Sequence, residues 1–180
     1  VGKRFLNLEK LQDDHCDFTR GTNKRFRVLR NVGEAAKYFP IDEPIICIGS
    51  GDGFEVEVWK LLGFNAFGCE ISTRKRIIAK AFGVTSVTNF ADSQGRCNIY
   101  CAHTIEHMKQ AQLEINNWTK RVKTVICCIF PIEPMGTRNP SHLSPIKSLN
   151  TLKFPNMEIL LKQERFNDER EGIIIARRNV

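Results

Sequence analysis

The sequence predicts an α/β protein, with a mostly parallel sheet of seven strands, helices on both faces, and a last strand that runs antiparallel. Three observations carry this. Apolar runs alternate with helical patterns from residue 45 onward, as they do when helices form the crossovers between parallel strands. Residues 45–71, IICIGSGDGFEVEVWKLLGFNAFGCEI, run in the order strand, glycine loop, helix, strand, carboxylate. The last two strand candidates are separated only by Asn167–Glu171, too short for a crossover helix, so they form a hairpin.

Residues 1–40 are polar and basic, with helices expected near 3–12 and 28–38, and Pro40 and Pro44 bracket a turn before the first strand. Strands are expected near 45–49, 65–70, 84–88, 97–101, 122–129, 157–166 and 171–178. The first, second, fourth and fifth are near-continuous apolar runs, the pattern of strands covered on both faces. Helices fit 53–62, 73–82, 105–119 and 144–151. Residues 131–145, PIEPMGTRNPSHLSP, form a Pro-rich loop after the fifth strand, on the edge where loops line the crevice of an open parallel sheet. The expectation is a single domain over 1–180, with an N-terminal helical segment (1–40) and an α/β core (41–180).

A chain of 180 residues with 42% apolar and 26% charged residues has the composition of an ordinary globular protein. No apolar run approaches the roughly 20 residues of a membrane span, and VGKRFLNLEK lacks the apolar segment of a signal peptide. Residue 1 is Val, which fits processing, renumbering or excision from a longer chain alike. Six of the seven cysteines (Cys47, Cys69, Cys97, Cys101, Cys127, Cys128) lie in apolar runs, and none forms a CxxC pair. They read as reduced core thiols of a cytoplasmic protein. The net charge of +7 has two readings, a solvated basic surface or a nucleic-acid partner. Aromatics are not interleaved with the basic clusters in an RNA-binding pattern.

The 45–71 segment builds a pocket for a nucleoside-bearing cofactor. Glycines at 49, 51 and 53 let the backbone turn sharply and approach a ligand, and the following helix presents unpaired N–H groups. Glu70, at the tip of the second strand, is placed to accept hydrogen bonds from ribose hydroxyls. A dinucleotide fingerprint starting at Gly49 needs glycine at position 54, which is Phe54, and the Gly-Lys-Ser/Thr of a phosphate-binding loop is absent.

The segments I-C-I-G-S-G-D-G, then G-C-E-I-S, then N-I-Y-C-A-H-T-I-E-H-M resemble the class I S-adenosylmethionine-dependent methyltransferases, particularly the type 11 group and its relatives. The resemblance covers roughly residues 28–178 and implies a three-layer Rossmann-like core whose closing hairpin reverses the last strand. It implies S-adenosylmethionine as cofactor, with Gly49, Ser50, Gly51 and Gly53 under the methionine part. Glu70 would then bind the ribose hydroxyls, Ile71 would pack on the adenine, and Asp92 would meet the adenine amino group. His103 would line the pocket near the sulfonium and is the candidate general base. His142, in the Pro-rich loop, is the candidate acceptor-binding histidine. The chain departs from the family at three points. Cys47 stands where an acid usually precedes the glycines, Asn98 replaces the Asp that usually opens strand four, and the 92–98 segment is short.

His103, Glu106 and His107 also spell H-x-x-E-H, an inverted zinc-protease signature. The segment begins at the end of a buried strand, so it is read as a helix opening, and no metal ligand is assigned. The function expected is methyl transfer to a small molecule, with RNA or protein acceptors as alternatives. A competing class is a catalytically silent binding or regulatory module, which Cys47 and the short 92–98 segment favour. An NAD-dependent oxidoreductase fails at Phe54.

Overall fold

The computed structural model describes residues 24–93, 96–133, 141–166 and 170–179; the helix expected near 3–12 lies outside them. Seven strands form one sheet in the order β3-β2-β1-β4-β5-β7-β6, all parallel except the reversed β7. The fold class is as the sequence predicts. The chain divides into two compact units, Val1–Lys37 with Pro44–Gly95, and Tyr38–Glu43 with Arg96–Val180.

In the first unit, β1 (Ile45–Ile48), β2 (Ala66–Cys69) and the two-residue β3 (Ser86–Val87) run parallel. Helix α1 (Lys24–Ala35) buries Val28, Asn31, Val32 and Ala35, a helical stripe that packs on α2 (Phe54–Leu61). Glu57 in the first turn of α2 complements its dipole. Helix α3 (Thr73–Ala81) is capped by Ser72, whose Oγ accepts from the Lys75 N–H at 3.2 Å.

In the second unit, β4 (Asn98–Ala102) and β5 (Val125–Pro131) are parallel and buried throughout, and β7 (Arg170–Arg178) pairs antiparallel with β5. The outermost strand β6 (Met157–Phe166) is partly exposed, with a register shift between Ile159 and Leu161. Glu158 on β6 pairs with Arg177 of β7 at 2.6 Å. Trp118 on α4 (Ala111–Arg121), Tyr100 and Phe130 are the bulkiest fully buried side chains of this unit, as Trp59 is of the other.

Two helix expectations are corrected. Residues 105–119 split into a 3-10 turn, Ile105–His107, and α4, because Met108 is extended (ψ 139°) and breaks the helix between them. Residues 144–151 form bends and a short turn instead of a helix. Pro145 cannot donate, and the hydroxyls of Ser148 and Thr151 take the backbone N–H groups of Asn150 and Ser148 at 3.3 Å each. The described cysteines Cys47, Cys69, Cys97, Cys101, Cys127 and Cys128 are all buried and none is in a disulfide, as predicted.

Candidate functional site

The glycine loop leaves β1 with Gly49, Gly51 and Gly53 all at positive φ (70°, 55° and 84°), a backbone path that side chains resist. Gly49 and Ser50 both donate to the Cys69 carbonyl, at 2.7 and 3.2 Å, which ties the loop to the end of β2. Glu70 follows directly and is 3% exposed. Its Oε2 accepts from the Gly51 N–H at 2.8 Å and its Oε1 from the Ser72 N–H at 2.9 Å. The predicted carboxylate and the predicted loop are therefore in direct contact. Arg76 fixes the direction of this segment, its Nη1 donating to the carbonyls of Glu70 and Ile71 at 2.7 Å each.

Gly68 shows why the loop fits so closely on β2. A Cβ there would lie 2.3 Å from Ser50 Oγ and 2.4 Å from Ser86 Oγ. Both hydroxyls are buried and lack hydrogen-bond partners. Ile71 is half-buried, and Asp92 closes the 3-10 turn Phe90–Asp92 that follows β3.

Sequence reasoning missed Glu55. Its Oε2 is buried with no hydrogen-bond partner. Burial pushes this carboxyl up from 4.5 to about 8, opposed by the charge of Arg27 and reinforced by Asp52. Burial also raises the Cys47 thiol well above its ordinary range, with Glu55 adding to the effect. The acid absent at position 47 thus has a neighbour in the first turn of α2. Asp52 is buried as well and accepts from the Phe54 N–H at 3.2 Å, two residues on, in the turn that enters α2.

In the second unit His103 follows β4 at φ 49°, a left-handed conformation uncommon for a residue with a Cβ. Its N–H donates to the Ile129 carbonyl at 2.8 Å, and Nε2 meets Oε1 of fully buried Glu171 at 2.8 Å. Arg165 Nη2 stands 3.5 Å from the other oxygen of Glu171. The carboxylate makes Nε2 the proton-bearing nitrogen, so Nδ1 is the one that can accept. Glu171 was invisible as a partner because 68 residues separate it from His103.

His142 is 8% exposed and bonded to Glu133 through Nδ1, in contrast to a solvated loop histidine. Residues 134–140 of the Pro-rich loop lie outside the described residues. His103 and His107 do not share a helix face as an H-x-x-E-H metal motif requires, because His103 is still in the turn off β4. Asn98 also has a structural role. Its Oδ1 accepts from the N–H groups of Thr124 and Val125 at 3.0 and 2.8 Å, and its Nδ2 donates to Glu43 at 3.0 Å. An Asp could accept those amides and could not donate to Glu43.

The architecture is the class I S-adenosylmethionine-dependent methyltransferase fold. Solved structures with this fold include magnesium protoporphyrin IX methyltransferase from Synechocystis PCC 6803 with bound SAH. It is 13% identical at a TM-score of 0.68, over 87% of this chain and 84% of that one. A SAM-dependent methyltransferase from Archaeoglobus fulgidus is 16% identical at a TM-score of 0.64, over 86% and 94%. The cyclase SpnF is 15% identical at a TM-score of 0.67, over 84% and 81%. No family model and no curated protein matches the chain. Identities this low establish the fold alone, and a cyclase on the same scaffold shows that the fold does not dictate the reaction.

Proposed function

We propose that the chain binds S-adenosylmethionine and transfers its methyl group to a small-molecule acceptor. The observation that carries this reading is the Glu70 carboxylate held on the Gly51 N–H, so the loop and the acid form one unit. Two polar atoms beside that loop, Ser50 Oγ and Glu55 Oε2, are buried without hydrogen-bond partners, which suits a polar guest. Glu70 would accept the ribose hydroxyls with the lone pairs its two backbone contacts leave. Ile71 would cover the adenine and Asp92 would meet its amino group. Glu55, in place of the acid absent at Cys47, would face the ammonium of the methionine part.

When bound, the cofactor supplies an electrophilic methyl carbon on a sulfonium. The acceptor forms a bond to that carbon as the carbon–sulfur bond breaks and its electron pair stays on sulfur. The task of the chain is to orient the acceptor and exclude water. For a hydroxyl acceptor, His103 would take the proton at Nδ1, its ring held by Glu171, and His142 would contact the acceptor.

A second reading is a silent binding module. It is favoured by the backbone amides already bonded to both Glu70 oxygens. Calorimetry with S-adenosylmethionine and S-adenosylhomocysteine separates the two. Micromolar binding abolished by Glu70→Ala supports the first reading, and an absence of heat with either compound removes it.

A further inference from the structure

Two stretches of the second unit bring two imidazoles and two carboxylates together. Glu106 and His107 lie on the 3-10 turn Ile105–His107, and His142 lies near the end of the Pro-rich loop. The Ser144 N–H donates to the Glu106 carbonyl at 2.9 Å, which holds the two stretches in register. One ligating atom from each of Glu106, His107 and His142 lies within 4.8 Å of the others. Glu106 is 1% exposed and His142 8%, so these groups are withdrawn from water.

Hydrogen bonding on the far side of each ring sets the tautomer. His107 Nδ1 meets the Ser141 carbonyl at 2.9 Å. A carbonyl only accepts, so Nδ1 carries the proton and Nε2 is the basic nitrogen, 3.7 Å from Glu106 Oε1. His142 Nδ1 is bonded to Glu133, which leaves its Nε2 basic as well. The rings meet edge to face with centroids 4.9 Å apart. Glu133 Oε2 is buried without a hydrogen-bond partner. An imidazole whose outer nitrogen is anchored by a carboxylate or a carbonyl is the usual form of a supported metal ligand.

We propose that Glu106, His107 and His142 bind one divalent transition-metal ion, with Glu133 and the Ser141 carbonyl as the outer supports of the two histidines. Two neutral imidazoles and one carboxylate suit Zn²⁺, Mn²⁺, Fe²⁺ or Co²⁺ better than Mg²⁺ or Ca²⁺, which prefer oxygen ligands. Ligands about 2.0–2.1 Å from a common ion stand roughly 3.3 Å apart in a tetrahedron. Binding would have to draw the three ligating atoms, now within 4.8 Å of one another, closer together around the ion. Three protein ligands leave a position for water or an incoming oxygen. The site does not rest on the methyl-transfer reading, but it would engage His142, the residue that reading turns toward the acceptor.

The test is a titration of the full chain with Zn²⁺ against a chromophoric chelator, paired with Co²⁺ followed by visible absorption and with Mg²⁺ as a third arm. One Zn²⁺ per chain is expected, with Co²⁺ bands free of thiolate charge transfer. His142→Ala should abolish the stoichiometric binding. Glu133→Gln, which removes no ligand, should weaken it about 10–100-fold. Absence of saturable Zn²⁺ binding, thiolate bands, tighter Mg²⁺ binding, or variants that titrate like the parent would each overturn the proposal. If a variant fails to fold, long-range ¹H–¹⁵N spectra of the parent decide. Zn²⁺ should shift Nε2 of His107 and His142, and shifts confined to His15 and His103 would overturn the site.

Discussion

Replacing Glu55 by Gln removes an ionisation that the fold resists and leaves shape and volume almost unchanged. The carboxyl titrates near 4.5 in an open chain and at about 8 in the folded one. Below pH 4.5 both states hold the proton. Between 4.5 and 8 only the folded state holds it, so unfolding releases a proton and stability falls as pH rises. Above 8 both states are ionised and the dependence ends. At about 1.4 kcal/mol per pH unit, the loss across the window is on the order of 4–5 kcal/mol. The assay is urea unfolding of parent and Glu55→Gln at half-unit steps from pH 4.5 to 8.5. The difference between the two curves cancels every other titrating group. The parent should lose stability relative to the variant over this window, and the variant should be the more stable of the two at pH 8. Parallel curves, or a parent that gains on the variant as pH rises, would refute a buried carboxyl at this place. If the ammonium of S-adenosylmethionine meets Glu55, binding at pH 7 should also release a proton. The calorimetric heat would then change with the buffer's ionisation enthalpy in the parent and stay constant in the variant.

Glu70→Ala removes two charge-assisted hydrogen bonds to Gly51 and Ser72. It should destabilise the chain by about 1.5–3 kcal/mol, read by denaturant midpoint, as well as abolishing nucleoside binding. Asn98→Asp puts a carboxylate against Glu43 in a fully buried position. It should cost about 2–3 kcal/mol, with part recovered in Glu43→Gln/Asn98→Asp. Gly68→Ala forces a methyl group against Ser50 and Ser86 and should lower stability by about 1–3 kcal/mol, checked by thermal melting. Glu171→Gln should move the acid limb of the pH–rate profile if His103 is the base, with the KM for the acceptor little changed.

The strand, loop and acid of residues 45–71 were legible because each carries a local signal. The glycines mark φ angles that other residues resist, and an acid closing an apolar run is conspicuous. The hairpin at the end of the sheet was legible from the short gap at 167–171. The supports of the site were not. Glu171 reaches His103 across the β5–β7 pairing, and Glu133 reaches His142 across a loop, so neither pair has a fixed spacing in sequence. Glu55 reads in the sequence as an ordinary first-turn helix residue, and only packing reveals that its carboxyl is hidden. The helix expected at 144–151 failed because serine and threonine hydroxyls compete with the helical backbone for the same N–H groups.

The two margins of the sheet bear on how copies of this chain can meet. At one side β3 offers only Ser86 and Val87, too little backbone to template an added strand. At the other, β6 is long, yet it is interrupted after Ile159 and carries Glu158, Lys162, Glu164 and Arg165 along its length. A neighbour seeking to continue the ladder there would meet a broken register and a row of charged side chains. Among the described residues, edge-to-edge growth into fibres is disfavoured by construction.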